Sequence, residues 1–536
     1  MVSSLITLGA AVGAASTVAA QGFWPTHLKD PNVGVHIPGA IPLNPVEPLQ
    51  HRLAYAGSDG MTVSWSTFAK LEQPQVRYGF RPDKLEFVAN STRSTTYPTS
   101  RTYNNAVKLT GLKPNTKYYY SVSYSNIGSS AYLPTYSFKT AHAPGDDEPY
   151  TVAVFADLGL MGEDGLSTRY GPYGGIEHAI LEANETNTIQ SMMAYQDSFD
   201  FMIHVGDIGY ADYFLRESVQ GYFGTDDLET MPTQGEVAEK YESMNEQFFD
   251  QMRPLAAQKP WMVSPGNHEA NCDNGGYTDK RANITYTDAY CLEGQTNFTF
   301  YNEKFNMPSE ESNGVENMWY SYDNGLVHYV SLNCETDLGE GLMGPIENVT
   351  NNHNGPFGKV NQQVDWLKND LANVDRSKTP WVIALFHRPW YTNVNDVLSQ
   401  YPAWQQAFEK VLYDNEVDVY FNGHVHTYER FWPSYNNTIE PTLNNPRAPM
   451  PVVLGHAGHY DGLDEFDADH VMFNNTAFAT DQEYGWTRLT IHNATHLTLE
   501  SLAARNGSII DEATLYKEHN FKNKRAVDPR CGKFKC

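Results

Sequence analysis

The chain has 536 residues, which at the usual 100 to 200 per domain predicts about two to four domains with ample room for a core. With 40% hydrophobic and only 19% charged residues it is no disordered polyelectrolyte, and five cysteines in this length exclude a disulfide-stapled miniprotein. The 37 Lys and Arg against 64 Asp and Glu leave a net charge of −27, a field that repels nucleic acid and anionic lipid, so a small anionic substrate needs a metal ion or a local basic pocket.

Residues 1–20 are apolar and small, with Val18 and Ala20 placed as in an A-x-A-like cleavage site before Gln21, and they read as a secretory signal peptide. Nothing later approaches 18 consecutive apolar residues, so no membrane contact is expected once the signal is removed. Nine N-x-[ST] sequons, at Asn90, Asn184, Asn283, Asn297, Asn348, Asn436, Asn474, Asn493 and Asn506, agree with a secreted, extracellular protein bearing N-glycans. Among the cysteines, Cys272 and Cys291 flank a polar stretch and are expected to pair, and Cys531 with Cys536 to close a small C-terminal loop. Cys334 is left over as a buried thiol with no basic neighbour to activate it.

Residues 36–142 read as all-β: short alternating runs at 61–65, 75–78, 105–109, 118–124 and 135–140 are separated by turn clusters such as Ser58-Asp59-Gly60. Trp65 and the 112–120 stretch resemble a fibronectin type III module, with the Trp as core. No titratable cluster occurs there, and the expected role is structural. The polar segment 141–148 marks a boundary. From 149 to 510 apolar strand runs (150–156, 201–205, 261–264, 326–332, 381–386, 417–421, 452–454) alternate with helical stretches (176–183, 236–252, 360–373, 401–415), the signature of α/β layering. A polar, basic tail at 511–536 is expected to pack on the surface.

Chemistry gathers where these strands end. Asp157 follows the first run, Asp207 and Tyr210 the second, Asn267, His268 and Glu269 the third, His387 the fifth, and His424 and His426 the sixth. Taken singly, each is bland: an Asp after a strand is usually a turn residue and a lone His a satisfied core residue. Five strand ends converging on one rim of an α/β sheet are another matter, because that rim is where ligand sites lie. Asp157, Asp207, Tyr210, Asn267, His387, His424 and His426 offer only oxygen and nitrogen donors, which suit Fe, Mn or Zn. Seven donors exceed the needs of one ion and predict two that share a bridge. A phenolate, with an ordinary pKa of about 10, calls for a strongly charged ion at its position.

The blocks DLG, GDIGY, GNHE, FH and GHVH resemble the five-block pattern of the purple acid phosphatases within the metallophosphoesterase superfamily, over about residues 150–430. With the fibronectin-like region the chain is similar to the large, two-domain form of plants and fungi. That resemblance implies an α/β/β/α sandwich with Fe(III) on Asp157, Tyr210 and His426. It places a divalent Zn, Mn or Fe on Asn267, His387 and His424, with Asp207 bridging. It also implies a tyrosinate-to-iron colour and an acidic pH optimum. The expected reaction is hydrolysis of small phosphomonoesters to alcohol and inorganic phosphate by in-line attack of a metal-bound hydroxide, with no phosphoenzyme. His268 orients phosphate or donates a proton, with Glu269 either holding it or opening a helix.

The same site also suits a phytase, phosphodiesterase or nucleotide pyrophosphatase, and a secreted binding protein with a relict metal site is the non-enzyme alternative. The chain departs from the plant members at one place. They carry two histidines several residues after the His-x-Pro-Trp-Tyr block, whereas His387-Arg388-Pro389-Trp390-Tyr391 runs on to Val397 without one. The leaving-group proton therefore falls to His268, to His456 or His459 after the 452–454 strand, or else to a metal-bound water or a carboxyl such as Asp396 or Asp461.

Overall fold

The Met61–Thr67 strand shows why the first region folds as it does: Met61, Val63 and Trp65 alternate inward and are fully buried, and the strand pairs in register with Tyr103–Leu109, Trp65 opposite Asn105. The computed structural model describes residues 44–124, 134–161, 185–213, 234–269, 278–279, 284–285, 292, 294–335, 361–394, 402–458, 462–466 and 473–519. Two four-stranded antiparallel sheets make the sandwich, one of Leu49–Tyr55, Met61–Thr67, Tyr103–Leu109 and Ser94–Thr95, the other of Phe87–Asn90, Pro74–Gly79, Lys117–Tyr124 and Tyr136–Lys139. All five expected runs are strands. Leu49–Tyr55 carries no alternating signal because both of its faces are buried, its polar Gln50, His51 and Arg52 included. One face lies on the rest of the chain: Gln50 Nε2 donates to Glu246 O at 3.3 Å, Arg52 Nε to Lys304 O at 3.2 Å, and the Tyr55 and Phe201 rings meet edge-on.

The α/β region contains two sheets. The six-stranded one runs Trp261–Ser264, Phe201–Val205, Tyr150–Phe155, Gly485–Asn493, His496–Ala503 and Ile509–Tyr516, its first three strands parallel. The seven-stranded one runs Tyr320–Asn324, Val327–Ser331, Trp381–Leu385, Val419–Asn422, Met450–Leu454, Tyr428–Phe431 and Thr476–Thr480, with four parallel strands at its centre. Rings such as Phe201 and Tyr329, 5.8 Å apart and perpendicular, pack between the sheets. The helices Gln234–Ala256, Gln362–Asn373 and Pro402–Asp414 stand where three of the four helical stretches are expected; the fourth, at 176–183, lies outside the described residues.

The boundary expected at 511 falls inside a strand, and residues 520–536 of the expected tail lie outside the described residues. Ile509–Tyr516 is the last strand of the six-stranded sheet, and Asp511 within it accepts from Arg430 Nε at 2.7 Å and Nη2 at 2.9 Å. This strand and its two sheet neighbours have half-exposed, alternating residues and lack the continuous apolar run that marks the parallel strands.

Cys334 is buried with a free thiol, which burial drives well above the usual thiol range; the other four cysteines lie outside the described residues. No helix among the described residues is long and apolar enough to cross a membrane.

Candidate metal centre

Parallel strands in both sheets deliver their carboxyl ends to one place. Asp157 follows Tyr150–Phe155, Asp207 and Tyr210 follow Phe201–Val205, and Asn267 follows Trp261–Ser264; from the other sheet come His387 after Trp381–Leu385 and His424 and His426 after Val419–Asn422. The structure thus brings all seven sequence-predicted donors together. Asp157, Asp207, Tyr210 and His387 are almost wholly buried, and Asn267 and His426 nearly so.

The strand-to-loop exits are tight. Asp157, Asp207, Tyr210 and His424 all have left-handed backbones, with φ of 58°, 50°, 52° and 70°, a conformation that non-glycine residues hold only when their surroundings enforce it. Two block glycines are dictated by close approach. A Cβ on Gly266 would lie 2.2 Å from Asp207 Oδ1, and one on Gly423 would lie 2.3 Å from Asp157 Oδ2.

Each aspartate spends one oxygen on the backbone and turns the other to the centre. Asp157 Oδ2 accepts from the His424 N–H at 2.9 Å, while its Oδ1 takes the Tyr210 hydroxyl at 2.8 Å and stands 3.4 Å from His426 Nε2. Asp207 Oδ1 accepts from the His268 N–H at 2.9 Å; its Oδ2 lies 3.2 Å from the Tyr210 hydroxyl and 2.9 Å from His387 Nε2. The donors fall into two groups. Tyr210 sits 3.1 Å from His426 Nε2, and Asn267 Oδ1 sits 2.9 Å from His424 Nδ1 and 3.2 Å from His387 Nε2, with Asp207 between the groups. His387 gives its Nδ1 proton to Val205 O at 2.9 Å, which fixes the tautomer and leaves Nε2 facing inward.

Burial pushes His387 down, but Asp207 and Asp157 outweigh it and carry the imidazole up to about 9. Burial likewise pushes Asp207 up, and His387 and His268 overcome that and hold it well below the usual carboxylate range. Burial wins at Asp157, whose carboxyl is raised. Such a knot of buried, mutually dependent groups suits cations: the donors are all oxygen and nitrogen, and the ligand atoms of Asp207, His387 and His424 lie within 4.8 Å of one another.

Glu269 turns its carboxylate away from His268. It ends a short turn, Asn267–Glu269, and its carboxylate accepts from Asp207 N (2.9 Å), Ile208 N (2.7 Å) and Gly266 N (2.7 Å), bracing the Asp207 loop against the Asn267 loop. The partner of His268 is Asp212, fully buried, with Oδ2 2.6 Å from Nδ1. Sequence reading missed Asp212, although it stands two residues after Tyr210. It also missed Asp464, which accepts the His426 N–H at 2.8 Å, and the buried pair Glu335 and Arg388, whose Nη1 is 3.0 Å from His424 Nε2. His456 is fully buried with Nε2 3.1 Å from Ser501 Oγ, and burial lowers it to about 3; its bond leads to the strand of the other sheet, not to the donors. His459, Asp396 and Asp461 lie outside the described residues.

Profiles of known families match the chain in three pieces: calcineurin-like phosphoesterase over 150–428, the purple acid phosphatase N-terminal domain over 48–140, and iron/zinc purple acid phosphatase-like protein C over 448–512. The chain is 35% identical over 509 residues to acid phosphatase A of Cryphonectria parasitica, covering 89% of this chain and 94% of that protein. It is 30% identical to an acid phosphatase of Aspergillus ficuum, with 85% of each covered. In fold it resembles a purple acid phosphatase from yellow lupin seeds, with a TM-score of 0.64 at 22% identity over 88% of this chain and 75% of that one. The chain belongs to the purple acid phosphatase family, and its fold is that family's N-terminal β domain followed by a metallophosphoesterase domain. It is accordingly an enzyme of the acid phosphatase class, and membership implies a dinuclear metal centre.

Proposed function

We propose that the chain is a secreted phosphatase hydrolysing phosphate monoesters, with ferric iron on Asp157, Tyr210 and His426. A divalent Zn, Mn or Fe is held by Asn267, His387 and His424, and Asp207 is shared. The observation that carries this reading is the partition of donors. The Tyr210 hydroxyl lies within hydrogen-bond reach of Asp157 and His426, Asn267 Oδ1 within reach of His387 and His424, and Asp207 Oδ2 reaches into both groups. When bound, the ions supply Lewis acidity and a nucleophile at acid pH.

The chain's own residues do the rest. Two carboxylates and a phenolate contribute −3 against +5 for a ferric and divalent pair, so the site attracts a phosphate anion inside an acidic protein. Asp212 fixes His268 by its Nδ1, leaving Nε2, 3.9 Å from Asp207 Oδ2, to hold a phosphate oxygen or to give the leaving oxygen its proton. Export and N-glycosylation are supported by the apolar first twenty residues and by six described sequon asparagines, Asn90, Asn297, Asn436, Asn474, Asn493 and Asn506, all exposed.

Elemental analysis and a visible spectrum of protein purified from culture medium test the reading, alongside turnover of an aryl phosphate monoester and the matching diester. The expected result is one iron and one divalent ion per chain, a visible band that Tyr210→Phe abolishes, and faster monoester turnover. A colourless protein without iron, a band that survives Tyr210→Phe, or a preference for the diester overturns it.

A further inference from the structure

His424 and His426 stand two residues apart on one loop and face opposite halves of the centre, yet the charges set against them have opposite sign. Beside His424 lies Arg388, whose Nη1 is 3.0 Å from Nε2. Its guanidinium is buried and held from behind by Glu335, which accepts from Nη2 at 2.8 Å and from Nε. The pair is thus a dipole with its positive end on His424. Beside His426 lies Asp464, joined by two bonds: its Oδ2 accepts the His426 N–H at 2.8 Å and its own N–H donates to His426 O at 3.1 Å. The carboxylate thus sets a negative charge against the backbone of the His426 half.

We propose that Arg388 and Asp464 are positioning residues that sort the two ions by charge, the guanidinium keeping a trivalent ion out of the His424 half and the carboxylate favouring one in the His426 half. This rests on the ligand assignment proposed above. The donors themselves lean the same way, since Asp157 and Tyr210 bring anionic oxygen to one half while Asn267, His387 and His424 bring neutral groups to the other. They leave Asp207 common to both, and imidazole accepts ferric, ferrous and zinc ions alike. A fixed outer charge discriminates where the donors do not, because Coulomb energy scales with ion charge; screening is weak at buried Arg388 and greater at half-buried Asp464. Arginine is suited to the task, being charged at every pH the protein meets.

The test uses protein reconstituted with ferric and zinc ions together. Three readouts serve: iron and zinc per chain, visible absorbance per chain, and the concentration of reductant that half-bleaches the band. Asp464→Asn keeps an oxygen for the His426 N–H while losing the charge; it should bleach at about tenfold less reductant, the scale of one half-buried charge, and Asp464→Glu should restore the original value. The double variant Arg388→Gln with Glu335→Gln leaves no buried unpaired charge. Its iron should rise above one per chain at the expense of zinc, with no gain in absorbance because the second half has no phenolate; Arg388→Lys should hold at one. Unchanged bleaching in Asp464→Asn, or an unchanged iron-to-zinc ratio in the folded double variant, overturns the inference while the ligand assignment stands. If the double variant does not fold, Asp464→Asn decides alone. An unmodified protein without the tyrosinate band overturns both.

Discussion

In the N-terminal sandwich the fully buried apolar side chains include Met61, Val63, Trp65, Val76, Val107, Leu109 and Tyr120, the polar residues fully buried with them, Ser66, Thr67 and Asn105, are uncharged, and the buried charged Arg52 lies where the sandwich rests on the other region. In the two-sheet region the apolar interior is larger, but Asp157, Asp207, Asp212, Glu269 and His387 are also buried, at strand ends where several backbones are left-handed. The sandwich has left-handed backbones only at Gln50 and Asn115 among its described non-glycine residues and keeps charge out of its interior; the two-sheet region spends stability on a polar knot of buried charged groups. Burial in the sandwich therefore means packing, whereas in the two-sheet region it means packing for apolar side chains and, at the strand ends, chemistry for charged ones.

The sharpest way to expose that difference is Asp207→Asn. Its Oδ2 touches both donor groups and its Oδ1 holds the His268 N–H, so both ions should be lost and aryl phosphate turnover should fall at least about ten-thousand-fold, as when a catalytic unit is dismantled. Elemental analysis of the folded variant checks it, and retention of both ions with ordinary turnover removes Asp207 as the bridge. Trp65→Ala should do the reverse. Truncating a fully buried aromatic in the sandwich should lower stability by roughly 3–5 kcal/mol with metal content and turnover of the folded fraction unchanged. Urea unfolding with metal analysis reads this, and loss of metal from folded protein denies the separation between the regions.

Within the polar knot, His268 and His456 sharpen the comparison further. Alkyl phosphates need a protonated leaving group and aryl phosphates do not, so His268→Ala should slow the alkyl substrate about a hundredfold more than the aryl one. His456→Ala should leave that ratio alone, because the ring sits in the apolar interior against Ser501. A ratio that moves with His456 and not with His268 reverses the roles.

The parallel strands and the seven donors were legible because each strand is a continuous apolar run ending abruptly in a polar residue, a pattern that packing on both faces and a functional rim produce together. Three kinds of feature were not. Leu49–Tyr55 hides its alternation because a second region covers its outer face. The antiparallel strands from Gly485 to Tyr516 alternate buried with half-exposed residues and lack the continuous apolar run that marks the parallel ones. The outer partners Asp212, Glu335, Arg388 and Asp464 act through contacts between segments far apart in the chain, and nothing in their neighbours' identities announces such contacts. Of the two roles expected for Glu269, holding His268 or standing at a helix start, the structure places it in the short turn Asn267–Glu269 with its carboxylate on the backbone of the Asp207 loop.

One buried ionic cluster in the two-sheet region breaks the simple equation of charge with chemistry, and it yields the smallest expected effect. His328, on the strand Val327–Ser331, has Nδ1 2.7 Å from Asp323 Oδ1 and Nε2 2.9 Å from Asp370 Oδ2, and Asp370 also accepts from Ser321 Oγ at 2.6 Å. None of these residues touches the metal centre's donors; they tie a hairpin to the helix Gln362–Asn373. Burial pushes the imidazole down, but the two carboxylates raise it to about 9, against about 6.5 in an unfolded chain. A folded-state pKa raised above the unfolded one contributes stability that is complete below about pH 6.5 and is lost as pH rises through about 9, so the contribution is present across the acidic range and fades in mild alkali. Its size is on the order of 2–3 kcal/mol. Thermal unfolding between pH 6 and 10 should therefore show a fall in Tm that His328→Gln flattens, with the metal-to-protein ratio the same in both proteins at pH 6. Parallel curves for the two proteins deny the cluster its structural role, and loss of metal from folded His328→Gln connects it to the chemistry after all.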